Sequence, residues 1–147
     1  MHIAAKIIIA FVALIHIYIL WLEMFAWLTR ARKVFRTLPQ ELFVPTKSMA
    51  ANQGLYNGFL AAGLIWSLLI CNAEWAAHVA TFFLGCVLVA GLYGAATVQK
   101  KIFYVQGIPA ILGLLAVSYY KVKTYEILAY TYYIYFGYGC YGCWRSF

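Results

Sequence analysis

The chain has 147 residues, of which 66% are hydrophobic and 10% are charged. A soluble domain usually carries about 25% charged residues, so this composition excludes an ordinary soluble fold, and it excludes intrinsic disorder, which needs high charge. The net charge of +7 does not indicate nucleic-acid binding, because the basic residues lie in short connections between apolar runs. We expect an all-α integral membrane protein that contacts the lipid bilayer and binds no nucleic acid.

Four apolar segments are long enough to cross a membrane as helices, which takes about 20 residues each. They cover residues 7–28, 50–71, 77–98 and 102–120. The first run is too long for the apolar part of a signal peptide, and no small-residue cleavage site follows it. The sequence therefore predicts a transmembrane domain of four helices over residues 1–120.

Residues 121–147 form an aromatic C-terminal tail. Between residues 125 and 144 the tail is apolar enough to span the membrane as a fifth helix. It is also rich in tyrosine, which favours the membrane interface, and it contains glycines, which weaken a helix. A fifth span and an interfacial segment are both compatible with this composition.

Basic residues in the connections predict the topology. The second connection, residues 72–75, has no Lys or Arg, whereas the first and third are basic. The positive-inside rule then places the first and third connections in the cytoplasm and the N-terminus outside, in a multi-pass protein of the cell (inner) membrane. The basic residues are Arg30, Arg32, Lys33, Arg36 and Lys47 in the first connection and Lys100 and Lys101 in the third. We expect Leu38, Leu42 and Phe43 of the first connection on the membrane surface.

Polar side chains on all four predicted helices fall in one layer of the cytoplasmic half. Glu23, for example, is seven residues before Arg30, or about 10 Å at about 1.5 Å per residue. His16 shares a helix face with Glu23. Polar groups inside membranes are costly, usually face the bundle interior and often mark function. We therefore predict a ligand-binding site formed by Glu23, Asn52, Gln53, Tyr56, Asn57, Tyr93, Gln106 and His16.

The same side chains also have a structural interpretation. Asn and Gln in membrane helices often join helices through hydrogen bonds worth about 0.6 kcal/mol on average. A buried carboxyl group such as Glu23 needs a partner or a proton, and in its protonated form it can donate to an amide. His16 lies about 10 Å from Glu23 along the helix, so we interpret it as a hydrogen-bonded core histidine.

Cys140 and Cys143 form a C-x-x-C pair, which occurs in redox dithiols and in zinc half-sites. Quinone-linked membrane thiol oxidoreductases need a second pair in an outer loop, where this chain has only Cys71 nearby. A zinc site needs two further ligands, and no neighbouring histidine supplies them. We expect no metal site, and the residues assign neither a cofactor nor a catalytic side chain.

Several segments resemble a known family. They are residues 16–25 (HIYILWLEMF), residues 50–63 (AANQGLYNGFLAAG), Tyr93-Gly94 and Gln106-Gly107. Over about residues 1–118 the chain resembles a family of small bacterial membrane proteins that is known as domain of unknown function 1304. The resemblance implies a bundle of four membrane helices and kinship with the broader DoxX-like group. It implies no activity, substrate or catalytic residue, and the tail after Lys121 is unlike the family.

Three functions are compatible with these residues. The first is binding or transport of a small lipophilic or amphipathic molecule such as a quinone, with Glu23 as the ionisable centre. Because the chain is small for a transporter, transport would favour a homodimer that forms through the glycine-rich third helix. The second is a structural or accessory membrane subunit whose polar layer fixes helix register. The third is an intramembrane oxidoreductase or isomerase in which Glu23 moves a proton.

Overall fold

A computed structural model describes residues 1–136, which are helical over most of their length and contain no strand. The helices are α1 (Ile3–Met24), α2 (Arg30–Val34), α3 (Lys47–Leu69), α4 (Ala73–Thr97) and α5 (Ile108–Phe136). Each of the four long helices packs against two others: α1 and α4 both contact α3 and α5. The all-α expectation is confirmed for these residues.

Three segments within the described residues are long and apolar enough to cross a membrane. They are Ile3–Met24, Ala73–Thr97 and Phe103–Ile134. The helix α3, which we expected as the second span, has 23 residues but does not reach the same apolarity, because Asn52, Gln53 and Asn57 lower its mean hydropathy. Among residues 1–136, three helices are therefore long and apolar enough to cross a membrane, where the sequence had predicted four.

Small residues set the distances between the helices. A Cβ at Gly54 of α3 would lie 2.7 Å from Met24 Cγ of α1, and a Cβ at Gly91 of α4 would lie 2.9 Å from the backbone nitrogen of Gly107. Without a hydrophobic driving force between helices in lipid, such close contact is a main source of helix association. The buried core around these contacts includes Ala5, Ile9, Val12, Ala13, Leu64, Ala77, Ala80, Leu84, Val87, Ala110 and Val117.

A π-helical segment, Phe103–Gly107, precedes α5. The N–H of Ile108 donates to the carbonyl of Phe103, five residues earlier. Pro109 explains this widening, because proline has no N–H and its ring clashes with the carbonyl four residues before it. The wider turn places Gly107 against Gly91 of α4, so the π-helical segment packs backbone against backbone on that helix.

The first connection, residues 25–46, folds into a compact cap below α1. Phe43 is fully buried. The expectation that its side chain lies on the membrane surface is therefore wrong. Its ring packs against Trp27 with the centroids 4.9 Å apart, and Trp27 Nε1 donates a hydrogen bond to Thr46 Oγ1 over 3.3 Å. The sequence did not show the contact between Trp27 and Phe43, because the two aromatic residues lie 16 positions apart on either side of Pro39.

The helix α5 continues across residue 120 without a break. Lys121 Nζ lies 3.3 Å from His78 Nδ1 of α4, and beyond this contact α5 extends about 22 Å further at about 1.5 Å per residue. The division of the chain into a transmembrane domain, residues 1–120, and a C-terminal tail, residues 121–147, stays a prediction. Cys140, Cys143 and the rest of residues 137–147 lie outside the described residues.

Replacing Gly91 with alanine should destabilise the protein. The new Cβ would meet the backbone of Gly107, which cannot rotate away, so α4 and the π-helical segment must separate at a cost of about 1–3 kcal/mol. Gly85→Ala on the same helix is the matched control, because a Cβ there meets nothing within 4 Å and alanine favours helices. Thermal unfolding in one detergent should show a lower midpoint for Gly91→Ala alone; equal midpoints for the two variants would contradict this packing.

Candidate functional site

A hydrogen bond joins Glu23 of α1 to Asn57 of α3. Asn57 Nδ2 donates to Glu23 Oε2 over 2.9 Å and also lies 3.2 Å from the backbone oxygen of Gln53. Asn57 is buried with 6% of its surface exposed, whereas Glu23 is half-buried. The structure thus brings together the carboxyl group and one of the amides that the sequence had placed in the polar layer.

The glycine Gly54 makes room for this hydrogen bond. A Cβ at Gly54 would lie 3.1 Å from Glu23 Cβ and 3.2 Å from the backbone oxygen of Leu20. These contacts show that α3 crosses α1 almost backbone against backbone beside the carboxyl group. A larger residue at position 54 would push the two helices apart and lengthen the distance from Asn57 to Glu23.

Glu23 lies at the end of α1, which differs from the expected position. The helix ends at Met24, whereas the predicted span continued to residue 28. Asn57 is ten residues after Lys47, the first residue of α3, and so lies about 15 Å along that helix at about 1.5 Å per residue. Glu23 therefore lies where α1 meets the cap of residues 25–46, beside a point on α3 about 15 Å from the start of that helix.

His16 lies two turns before Glu23 on α1 and is completely buried. Its Nδ1 is 2.9 Å from the backbone oxygen of Val12, which can only accept, so Nδ1 carries the proton and donates. The other ring nitrogen, Nε2, is buried without a hydrogen-bond partner. His16 is a core histidine as interpreted from the sequence, but one of its two nitrogens is unsatisfied.

The remaining predicted site residues do not converge on Glu23. Gln106 is half-buried in the π-helical segment, where its Cβ approaches Gly91. The other four side chains are exposed on the outer surface of the helices; they are Asn52, Gln53, Tyr56 and Tyr93. Depth along the helix was the basis for grouping these residues, and depth alone does not specify which side of a helix a residue occupies.

A shallow groove runs along the outer surface of α4, which the sequence analysis missed. It has a volume of about 740 Å³ and is lined by Thr81, Phe82, Gly85, Cys86, Val89, Ala90 and Tyr93. Gly85 forms the notch, since nothing lies within 4 Å of the position its Cβ would take. The sequence contained a signal for this groove, because the spacing of Phe82, Val89 and Tyr93 places them on one helical face. The lining is almost entirely apolar, so the groove suits an acyl chain or another helix better than a polar group.

Among residues 1–136 no group of three or more His, Cys, Asp and Glu side chains is placed to hold a metal ion. Glu74 and His78 form a surface pair near the start of α4, with His78 Nε2 3.7 Å from Glu74 Oε1. Both side chains are exposed. Glu23 is thus the acidic group of the described residues that combines partial burial with a neighbour on another helix.

The comparisons with known proteins agree with the resemblance drawn from the sequence. Residues 10–118 match the family model described as "Protein of unknown function (DUF1304)". The uncharacterized protein YpaA of Lactococcus lactis subsp. lactis (strain IL1403) is 34% identical over 118 residues, which cover 79% of this chain and 98% of YpaA. No solved structure matches the chain significantly. The match includes Glu23 and Asn57, whereas kinship with DoxX-like proteins stays a prediction. The chain therefore belongs to the DUF1304 family.

Proposed function

We propose that α1, α3, α4 and α5 all span the membrane, with the N-terminus outside and the cap of residues 25–46 in the cytoplasm. The packing of α3 supports this proposal, because α3 contacts both α1 and α4 and its buried residues are mostly small or apolar. A helix held between two apolar helices can carry amides that a lone span would not tolerate. The basic residues of the first and third connections support the orientation.

Within this bundle, we propose that the protein binds a small amphipathic molecule whose polar head contacts Glu23. The observation that carries this proposal is the half-buried carboxyl group held by Asn57 at the end of α1. A carboxyl group retained in so apolar a chain is costly, and its partial exposure leaves it open to a further hydrogen bond. An apolar body would lie along the bilayer-facing surface of α1 and α3, so access would be from the lipid.

The predicted site residues take different roles in this proposal. Glu23 binds the head group, and Asn57 orients the carboxyl group through Oε2. Gln53 lies one turn from Asn57 on the same face of α3, and its exposed side chain is available to the ligand. Asn52 and Tyr56 lie on the adjoining face of α3. Tyr93, Gln106 and His16 lie elsewhere in the bundle, and we assign them no contact with the ligand.

A second function is favoured by one specific observation. Glu23 already has a partner, since Asn57 donates to it across the α1–α3 contact. A hydrogen bond of this kind is sufficient to fix the register of two helices without any ligand. The protein would then be a structural or accessory subunit of a membrane assembly. The third alternative, an intramembrane oxidoreductase or isomerase in which Glu23 moves a proton, stays a prediction, and Cys140 and Cys143 lie outside the described residues.

Native mass spectrometry of the protein released from its own membranes should reveal a retained small molecule. We expect the adduct in the wild type and its loss in Glu23→Gln, because the variant removes the ionisable head-group partner. Glu74→Gln is the matched control, since it removes an exposed carboxyl group on another helix and should retain the adduct. Identical spectra for the wild type and Glu23→Gln would contradict the binding proposal.

The thermal stability of Glu23→Gln separates the two functions. The amide oxygen of glutamine is a weaker acceptor than a carboxylate oxygen, so a role in fixing helix register through Asn57 predicts a lower midpoint, whereas a binding role predicts a midpoint close to that of the wild type or above it. Sites kept for function often hold polar groups at a cost to stability. A fall of several degrees in the unfolding midpoint, measured in one detergent at neutral pH, would instead favour the accessory subunit.

A further inference from the structure

The cap carries a cluster of cations that have no carboxylate partners. Arg30, Arg32, Lys33 and Arg36 lie within seven residues, and Glu41 is the acid of this connection. Over the described part of the chain, none of these four cations forms an ion pair with a carboxylate; the ion pair found there joins His78 to Glu74 on α4. The exposed cations of this cluster, Arg30, Lys33 and Arg36, are therefore open to an anion from outside the described residues.

Three residues of the cap line a cleft that can receive such an anion. Thr29, Arg30 and Lys33 surround a space of about 300 Å³. Arg30 and Lys33 are three residues apart and so lie on the same face of α2. Both side chains are exposed, so the guanidinium and the ammonium group can close on one phosphate group. Arginine and lysine are the residues that most often bind phosphate in proteins.

The cleft is held on a fixed support. The guanidinium of Arg32 lies over the buried ring of Phe43, with Cζ 5.6 Å from the ring centroid. Arg36 Nε donates to the backbone oxygen of Lys33 over 3.1 Å, at the end of α2. Arg32 Nε is buried without an acceptor, which is unusual in a native structure. Arg32 is not part of the lining of the cleft, which is formed by Thr29, Arg30 and Lys33.

Exposed apolar side chains lie on the same connection as the cleft and on the first turn of α3. Phe25 is 72% exposed and Val44 is 63% exposed. Val34, Leu42 and Met49 are also exposed. Cations beside exposed apolar residues are typical of a segment at the boundary between lipid head groups and hydrocarbon. This setting favours a phosphate carried by a lipid over a phosphate free in solution.

We propose that Thr29, Arg30 and Lys33 bind the phosphate group of an anionic membrane lipid. This site is separate from Glu23, and it does not depend on the ligand proposed there. Bound lipid would offset part of the positive charge of the cap and fix the membrane depth of the end of α1. The ligand class is a phospholipid with net negative charge, such as phosphatidylglycerol, and a zwitterionic phospholipid of the same chain length would bind more weakly.

The test is a titration of the full-length protein in neutral detergent with short-chain phosphatidylglycerol, followed by the rise in the thermal unfolding midpoint. We expect saturable stabilisation of the wild type, and little with phosphatidylcholine or inorganic phosphate at the same concentrations. Arg30→Gln/Lys33→Gln should bind about 30-fold more weakly, the effect expected for two basic residues near an anionic surface. Both side chains are exposed, so the variant should unfold at the wild-type midpoint without lipid.

Lys100→Gln/Lys101→Gln is the matched control, because it removes the same charge from the third connection. It should bind phosphatidylglycerol as the wild type does. Equal weakening in both double variants would show a nonspecific effect of net charge and would overturn the site. Unchanged binding by Arg30→Gln/Lys33→Gln would overturn it as well. Equal stabilisation by inorganic phosphate would overturn the assignment to a lipid.

Discussion

The hydrogen bond from Asn57 to Glu23 is the interaction on which the arrangement of α1 and α3 depends. In the proposed membrane-spanning arrangement no water satisfies the carboxyl group of Glu23, so its partner must come from the protein or from a ligand. Asn57 can supply it only because Gly54 lets α3 approach α1 until a Cβ would touch Met24 and Glu23. The polar pair and the glycine contact therefore require each other, and both lie within the family match.

The end of α1 connects this pair to the cap. Since α1 stops at Met24, Glu23 is followed at once by the segment that carries Trp27 and the cleft at Arg30 and Lys33. Trp27 packs on Phe43 and bonds to Thr46 at the start of α3, so the cap ties together the same two helices that the hydrogen bond joins. A lipid bound at the cap and a molecule bound at Glu23 would act on neighbouring parts of one helix end.

The sequence predicted the helical class, the membrane location, the family and the two groups of the central hydrogen bond. Hydrophobic length and the rarity of charge were enough for the first two. The sequence did not show that α1 ends at Met24, because apolar residues continue to Leu28 and only the folding of the cap breaks the helix. It grouped Tyr93 with Glu23 by depth, yet Tyr93 is 72% exposed on α4, since depth does not determine the facing of a helix. The amides of α3 were visible in the sequence. The sequence did not show that α3 packs between α1 and α4, the packing that would let a membrane span carry these amides.

A double-mutant cycle at Glu23 and Asn57 tests the central claim most directly. Glu23→Leu, Asn57→Leu and the double variant would be compared with the wild type by reversible unfolding in mixed micelles. We predict a coupling free energy of about 0.6–1.7 kcal/mol, the range for hydrogen bonds between membrane helices, with the double variant less destabilised than the sum of the single ones. Additive effects, within about 0.5 kcal/mol, would show that the two side chains do not interact and would contradict the account.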